Sequence, residues 1–234
     1  MINFAHIANG RENWDAGHTI SRHMHGRPYV AIVLSGSYEE CGSRGRFQVG
    51  PGDALLHTPF DVHLDRFRHR GAQILNLGAA ESFGFSLGRV GDPDAIARVA
   101  ERDPTEACAH LCEQLREAEP TTPDWPDILA RDLLHDPSRS LGGWARAHGI
   151  AAETLSRGFG KVFGVTPAAF RLEVRARRAF ALISESDAPL VSIALGTGFA
   201  DQAHMSRATR ALTGSSPSAW RRSNQFKTGE TQAG

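Results

Sequence analysis

The stretch "LSRGFGKVFGVTPAAFR", residues 155–171, returns at an offset of 50 (205 − 155) as "MSRATRALTGSSPSAWR", residues 205–221. The two align without a gap. Ser156 and Arg157 fall on Ser206 and Arg207, Gly164 on Gly214, Pro167 on Pro217, Phe170 on Trp220 and Arg171 on Arg221. Upstream of each copy an alanine stands four residues before a glycine, Ala145 before Gly149 and Ala194 before Gly198. Self-similarity of this period marks a duplicated supersecondary unit. A helix, a tight turn containing glycine and a second helix make a helix-turn-helix motif.

The second helix of each copy divides its faces accordingly. In the first, Leu155, Phe159 and Val162 form an apolar i, i+4, i+7 stripe, while Glu153, Ser156, Arg157 and Lys161 share another face. In the second, Met205, Ala208 and Leu212 make the stripe, and Gln202, Ser206, Arg207 and Arg210 lie outside it. Gln and Arg are the side chains that read adenine and guanine edges bidentately.

The charge distribution agrees. Residues 1–127 hold 12 Lys+Arg and 18 Asp+Glu, a balance of 12 − 18 = −6; residues 128–227 hold 14 and 7, a balance of 14 − 7 = +7. A chain of formal net charge zero thus has a basic second half suited to an anionic partner such as nucleic acid. Length, 41% apolar and 22% charged residues are those of a globular chain of one or two domains. No run approaches the ~20 apolar residues of a membrane helix. The opening "MINFAHIANG" has neither a basic start nor an apolar signal core, so the expected location is the cytoplasm. Three cysteines, with Cys41 remote from Cys108 and Cys112, make no disulfide framework.

Outward to the N-terminus, the pattern becomes one of strands. "NFAHI", "PYVAIVL", "RFQVG", "DALLH", "VHLDRF" and "AQILNLG" are separated by turn residues, which predicts an all-β sandwich or barrel. From Pro93 the period changes: "PDAIARVAERD" and "PTEACAHLCEQLREAE" each open on proline and space apolar residues by three or four, predicting two helices. "EPTTPDWP", with three prolines, reads as a linker. The expected domains are 1–90, a β sensor domain; 91–126, a helical connector and linker; 127–226, an all-α domain with two helix-turn-helix units; and 227–234, a polar tail.

"LSRGFGKVFGVTPAAFR" and "IALGTGFADQAHMSRATRALTGSSPSAWRR" resemble the two halves of the DNA-binding domain of AraC/XylS-type transcription regulators, over about Leu141 to Arg222. The resemblance implies seven helices, two helix-turn-helix units joined by a long helix from about Pro167 to Ser184, and recognition helices in successive major grooves. By position the base-reading slots fall on Glu153, Ser156 and Arg157, then on Gln202, Ala203, His204 and Arg207; Thr154, Lys161 and Arg210 complete the DNA-facing set. Met205 and Thr209 stand where the family favours aromatic residues.

Such regulators often carry an N-terminal cupin-like barrel. Gly17, His23-x-His25 and Gly36 resemble the first cupin motif, and "GPGDALLHTPFDVH", ending on His63, resembles the second. In a strand, His23 and His25 point to one face. The resemblance implies a metal held by His23, His25 and His63, but the family's glutamate slot falls on Tyr29 or Val30. Three imidazoles suit Zn, Fe or Ni. His57 is a spare ligand, and Glu39 or Glu40 can supply an oxygen if its strand turns inward. The expected protein is therefore no enzyme but a sequence-specific DNA-binding transcription regulator. Its expected partners are double-stranded DNA, a small-molecule or metal effector and RNA polymerase, without a membrane, as a monomer or homodimer. The rival expectation is a metal-dependent cupin enzyme, an oxygenase or isomerase, with an appended helical domain.

Overall fold

A computed structural model describes residues 3–4, 9–78, 84–119 and 123–222. The chain divides into two compact units, a first of Asn3–Asp127 together with Val162–Gly164 and a second that takes Ile128–Lys161 and the residues from Val165 on. The predicted polar tail 227–234 and residues 5–7 of "NFAHI" lie outside the described residues.

The first unit runs β1 (Asn3–Phe4), β2 (Gly10–Trp14), β3 (Thr19–Met24), β4 (Tyr29–Gly36), β5 (Tyr38–Gly42), β6 (Gly45–Val49), β7 (Asp53–His57), β8 (Val62–Arg66), β9 (Ala72–Gly78) and β10 (Leu87–Arg89), then α1 (Pro93–Ala100), α2 (Pro104–Gln114) and β11 (Arg116–Glu117). One sheet has the order β1-β3-β8-β5-β6 and the other β11-β10-β7-β4-β9-β2. The sequence predicts an all-β sandwich or barrel; among the described residues the strands form two sheets, and no closed ring is found. Successive strands repeatedly cross from one sheet to the other, and strand periodicity reports that a strand exists, not which neighbour it pairs with.

Alternation along β4 explains the layering. Tyr29, Ala31 and Val33 join Tyr38, Phe47, Val49, Leu55 and Ile74 in the core between the sheets. Val30, Ile32 and Leu34 point the other way and pack with Leu75, Leu77, Ile96, Ala97, Ala107 and Leu111. Helices α1 and α2 therefore cover the outer face of the larger sheet. A strand buried on both faces reads as the continuous apolar run "YVAIVL". Each fully buried aliphatic side chain here contributes ~1.5–3 kcal/mol. Both helices begin as their prolines predict: Asp92 accepts from the Ala95 N–H at 2.8 Å, and Asp103 accepts from those of Thr105 at 2.8 Å and Glu106 at 3.1 Å. At Gly36 (φ +74°) a side chain is impossible, because a Cβ would lie 2.2 Å from the Gly71 carbonyl oxygen.

Helices carry the second unit: α3 (Trp125–His135), α4 (Leu141–Ala147), α5 (Ala152–Phe163), α6 (Pro167–Glu185), α7 (Leu190–Gly196), α8 (Gln202–Thr213) and a last helical stretch at 217–222. Gly142 and Gly143 each weaken α4 by about 1 kcal/mol relative to alanine. Offsetting this, Ser140 Oγ accepts from the Gly143 N–H at 3.1 Å and Trp144 Nε1 donates to Asp132 on α3 at 2.8 Å. The duplication is visible in the backbone. The turns carry Gly149 at φ +64° and Gly198 at φ +81°, a left-handed conformation that glycine adopts without steric cost. Thr166 and Ser216 repeat one cap, accepting from the N–H of Ala169 at 3.2 Å and of Ala219 at 3.3 Å.

Candidate nucleic-acid interface and histidine-lined cavity

In each helix-turn-helix unit, one face of the second helix builds the core and the opposite face is left open. On α5, Leu155 and Phe159 are buried, and Phe159 meets Phe170 edge-on at 5.4 Å. Glu153, Thr154, Ser156, Arg157 and Lys161 are exposed. Arg157 and Glu153 lie one turn apart with 3.9 Å between charged atoms, an exposed pair that contributes at most a few tenths of a kcal/mol. It leaves Arg157 able to exchange partners. On α8, Met205, Thr209 and Leu212 are buried, so the inner stripe includes Thr209, whereas Ala208 is only half-buried. Gln202, Ala203, Arg207 and Arg210 are exposed, and His204 is half-buried with its ring edge-on to Phe199 at 5.1 Å. Asp201 caps α8 by accepting from the His204 N–H at 2.7 Å. The predicted DNA-facing residues thus stand together on the open faces of α5 and α8. His204 alone is partly turned toward its own unit.

The first unit holds a different constellation between its sheets. A cavity of about 220 Å³ is lined by His23, His25, His57 and His63 and by Glu12, Glu40 and Asp65, with Trp14, Tyr29, Tyr38, Phe67 and Asn76. Strand pairing builds it. His23 of β3 stands in register with His63 of β8, and Tyr29 of β4 with His57 of β7. The turn 58–61, in which the Thr58 N–H donates to Asp61 Oδ2 at 2.7 Å, carries the chain from His57 in one sheet to His63 in the other. Ring centroids are 4.3 Å apart for His23 and His63, 4.8 Å for His23 and His25, and 5.4 Å for His25 and His63.

His23, His25 and His63 each offer a ring nitrogen within 4.8 Å of the others, and Glu40, His57 and His63 form a second such group. The donor chemistry fits a metal. His23 Nδ1 lies 3.0 Å from the Ser21 carbonyl oxygen, which can only accept, so Nδ1 carries the proton and Nε2 keeps its lone pair. His63 is 3% exposed, and its Nδ1 has no hydrogen-bond partner among the described residues, while Nε2 is 3.3 Å from the Tyr29 hydroxyl. Burial, and then the neighbouring histidines, hold His63 well below the ordinary imidazole range; burial lowers His57 and His23 too. Neutral imidazole is the form that ligates.

The carboxylate slot is resolved differently from either candidate side chain. Tyr29 faces the cavity with its ring stacked on His57 at 4.2 Å, whereas Val30 faces the helices. Of the two glutamates, Glu40 turns inward, its Oε2 3.5 Å from His57 Nε2. Glu39 turns outward to Arg66 at 2.9 Å, Arg68 at 3.0 Å and Gln48 at 2.7 Å. Sequence reading missed Asp65, Glu12 and Asn76. The signal for Asp65 is its place two residues beyond His63, hence on the same face of β8. Burial and then the nearby Glu12 push the Asp65 carboxyl up to about 8.

Residues 144–223 match the family model of a helix-turn-helix domain. The HTH-type transcriptional regulator ExsA of Pseudomonas aeruginosa is 36% identical over 87 residues, which is 37% of this chain and 30% of that protein. The chain therefore spans less than a third of this relative. Among solved structures, a probable AraC family transcriptional regulator from Rhodopseudomonas palustris is similar over 41% of this chain and 93% of its own, at 23% identity and a TM-score of 0.39. ToxT from Vibrio cholerae with an unsaturated fatty acid bound is similar over 92% of this chain and 94% of its own, at 10% identity and a TM-score of 0.41. No helix among the described residues is long and apolar enough to cross a membrane. The second unit of the chain contains a helix-turn-helix domain.

Proposed function

We propose that this chain is a sequence-specific DNA-binding transcription regulator of AraC/XylS type, and that its first unit is a cupin-like sensor of a small molecule or metal. One observation carries the reading. Two helix-turn-helix units in tandem, joined by a 19-residue helix, leave polar and basic side chains exposed at matching positions of both second helices. In this reading Arg157 and Arg207 read base edges, with Glu153, Ser156, Gln202, Ala203 and His204 beside them, while Lys161 and Arg210 neutralise phosphates. Ala203 offers only a methyl group, which suits a thymine methyl.

In the first unit, His23, His25 and His63 would hold a divalent Zn, Fe or Ni ion, with His57 and Glu40 adjoining. Bound there, the ion would supply a fixed positive charge between the sheets. The protein's own residues orient the imidazoles, Ser21 through its carbonyl and Tyr29 through its hydroxyl.

Genome-wide recovery of DNA fragments bound by the full chain tests the function. A shared sequence motif with two half-sites about one helical turn apart, bound with strongly salt-dependent affinity, is the expected result. Recovery of fragments with no common sequence would overturn it.

A further inference from the structure

Beside the imidazoles, with Glu40 Oε2 3.5 Å from His57 Nε2, the cavity has a second chemical character. Strands β5 and β8 pair in a register that places Glu40 directly opposite Asp65, and both side chains point inward. Like charges opposite one another on one face of a sheet are destabilising. Glu40 is 6% exposed and Asp65 5%, so water does little to screen them. Among the described residues no group donates a hydrogen bond to Asp65. Glu12, from the facing sheet, brings a third carboxyl to the same space.

No lysine or arginine is among the residues lining the cavity. Arg66 and Arg68 hold Glu39 on the outer face, and Arg44, whose charge also reaches Glu40, contacts Ser86 and Asp61. Asp65 is a buried carboxyl that no lysine or arginine pairs, and an ammonium ion in the cavity would supply both the donor and the charge. The adjoining wall is aromatic. Trp14 stacks with Phe67 at 5.6 Å, and Phe67 with Tyr38 at 5.2 Å. Ring faces attract organic cations and pack against their apolar bodies. At ~30 Å³ per water-sized group, the cavity has room for about seven such groups.

We propose that this carboxyl-and-aromatic wall is the effector site and takes a small organic ammonium ion, its charged head at Asp65 and Glu12, beside the Glu40–His57 contact, and its body against Trp14, Phe67 and Tyr38. The word effector rests on the sensor reading above; the binding site does not. The guest's class follows from charge and shape together. An anion meets three carboxyls and no lysine or arginine, whereas an ammonium ion can donate hydrogen bonds to carboxyl oxygens while its body packs on the rings.

Calorimetric titration of the full chain tests the site with methylammonium, propylammonium, tetramethylammonium, putrescine and phenethylammonium. The comparison probes are propanol, 2-phenylethanol, phenylacetate, xylitol and Zn²⁺ alone. At least one amine is expected to bind tenfold or more tighter than its alcohol counterpart. Asp65→Asn and the less buried Glu12→Gln, each checked for folding by circular dichroism, should both weaken that amine at least tenfold. Amines binding no tighter than the alcohols overturn the proposal, as does a preference for phenylacetate or xylitol. So does loss of Zn²⁺ rather than of amine in Asp65→Asn, which would assign the carboxyls to a metal. An amine that binds as expected without altering affinity for recovered DNA fragments upholds the site and removes sensing from the function. Absence of any DNA binding removes the regulator reading, while the titration still decides the site.

Discussion

Thr209 occupies in the second helix-turn-helix unit the place that Phe159 occupies in the first, and both side chains are 0% exposed. The positions are related by the same offset of 50 that aligns the two stretches (209 − 159). The aromatic ring packs on Phe170, whereas the Thr209 hydroxyl is buried with no hydrogen-bond partner among the described residues.

Thr209→Val should therefore stabilise the second unit. It keeps the shape, leaves helix propensity nearly unchanged and removes a polar atom whose burial is uncompensated. The expected gain is about 1 kcal/mol, read as a higher midpoint in thermal or urea unfolding. A lower midpoint would mean that the hydroxyl has a partner after all.

Replacing Arg157 or Arg207 by alanine should cost ~1–3 kcal/mol on a recovered target sequence and much less on random DNA, if each makes a bidentate base contact. Lys161→Ala and Arg210→Ala should instead weaken both DNAs alike and flatten the salt dependence by about one unit of slope each. Fluorescence anisotropy at several salt concentrations separates the patterns. Equal losses on both DNAs for the arginine pair Arg157 and Arg207 would remove their base-reading role.

His63 belongs to both groups of potential ligands, so His63→Ala should lower metal content and metal-induced stabilisation more than His57→Ala does. A ligand that binds only the folded state raises its stability. Elemental analysis after dialysis, together with thermal shifts in Zn²⁺ or Ni²⁺ with and without chelator, gives the readout. Equal, negligible metal in wild type and variant would end the metal reading.

Glu39 gives the chain a definite acid sensitivity. Burial alone would raise its carboxyl, but Arg68 and Arg66 hold it below the usual glutamate value. A depressed folded-state value means stabilisation that is present above the unfolded glutamate value and lost as pH falls through the folded one. Glu39→Gln should accordingly destabilise by ~1–3 kcal/mol near neutrality and converge on wild type in acid, as measured by urea midpoints across pH. A difference that persists unchanged below that range would assign the effect to packing.

Cysteine reactivity follows burial. Cys41 is fully buried, and desolvation, aided by Glu39, pushes its thiol up to about 12, so it stays protonated at pH 8. Cys112 is exposed, and Cys108 is half-buried, its thiol donating to the Gly78 carbonyl at 3.2 Å. A thiol reagent should label Cys112 first and Cys41 only on unfolding, as peptide mapping would show.

The helical half was largely legible because its information is local. Caps, left-handed glycines and 3.6-residue stripes act within a few residues, and duplication prints them twice. Inward-facing Thr209 was legible only by alignment with Phe159, since a lone threonine carries no burial signal. In the first unit the strands themselves, and the shared face of His23 and His25, could be read from alternation. The partners could not. Glu40 and Asp65 are 25 residues apart (65 − 40) and meet only because β5 pairs with β8, just as His57 and His63 come from different sheets.

By itself, then, the sequence determined most element types, the repeated helix-turn-helix units and the open polar faces of α5 and α8, because side-chain period and turn chemistry are properties of neighbouring residues. It did not show β2, β5 or β10, nor that the helix expected over 104–119 stops at Gln114 and gives way to the strand Arg116–Glu117. Only the tertiary structure decided that the strands make two sheets, that Glu40 rather than Glu39 turns inward, and that three carboxyls share a cavity with four imidazoles. Those outcomes depend on long-range pairing and register, where a shift of one residue exchanges the buried and exposed faces of a whole strand.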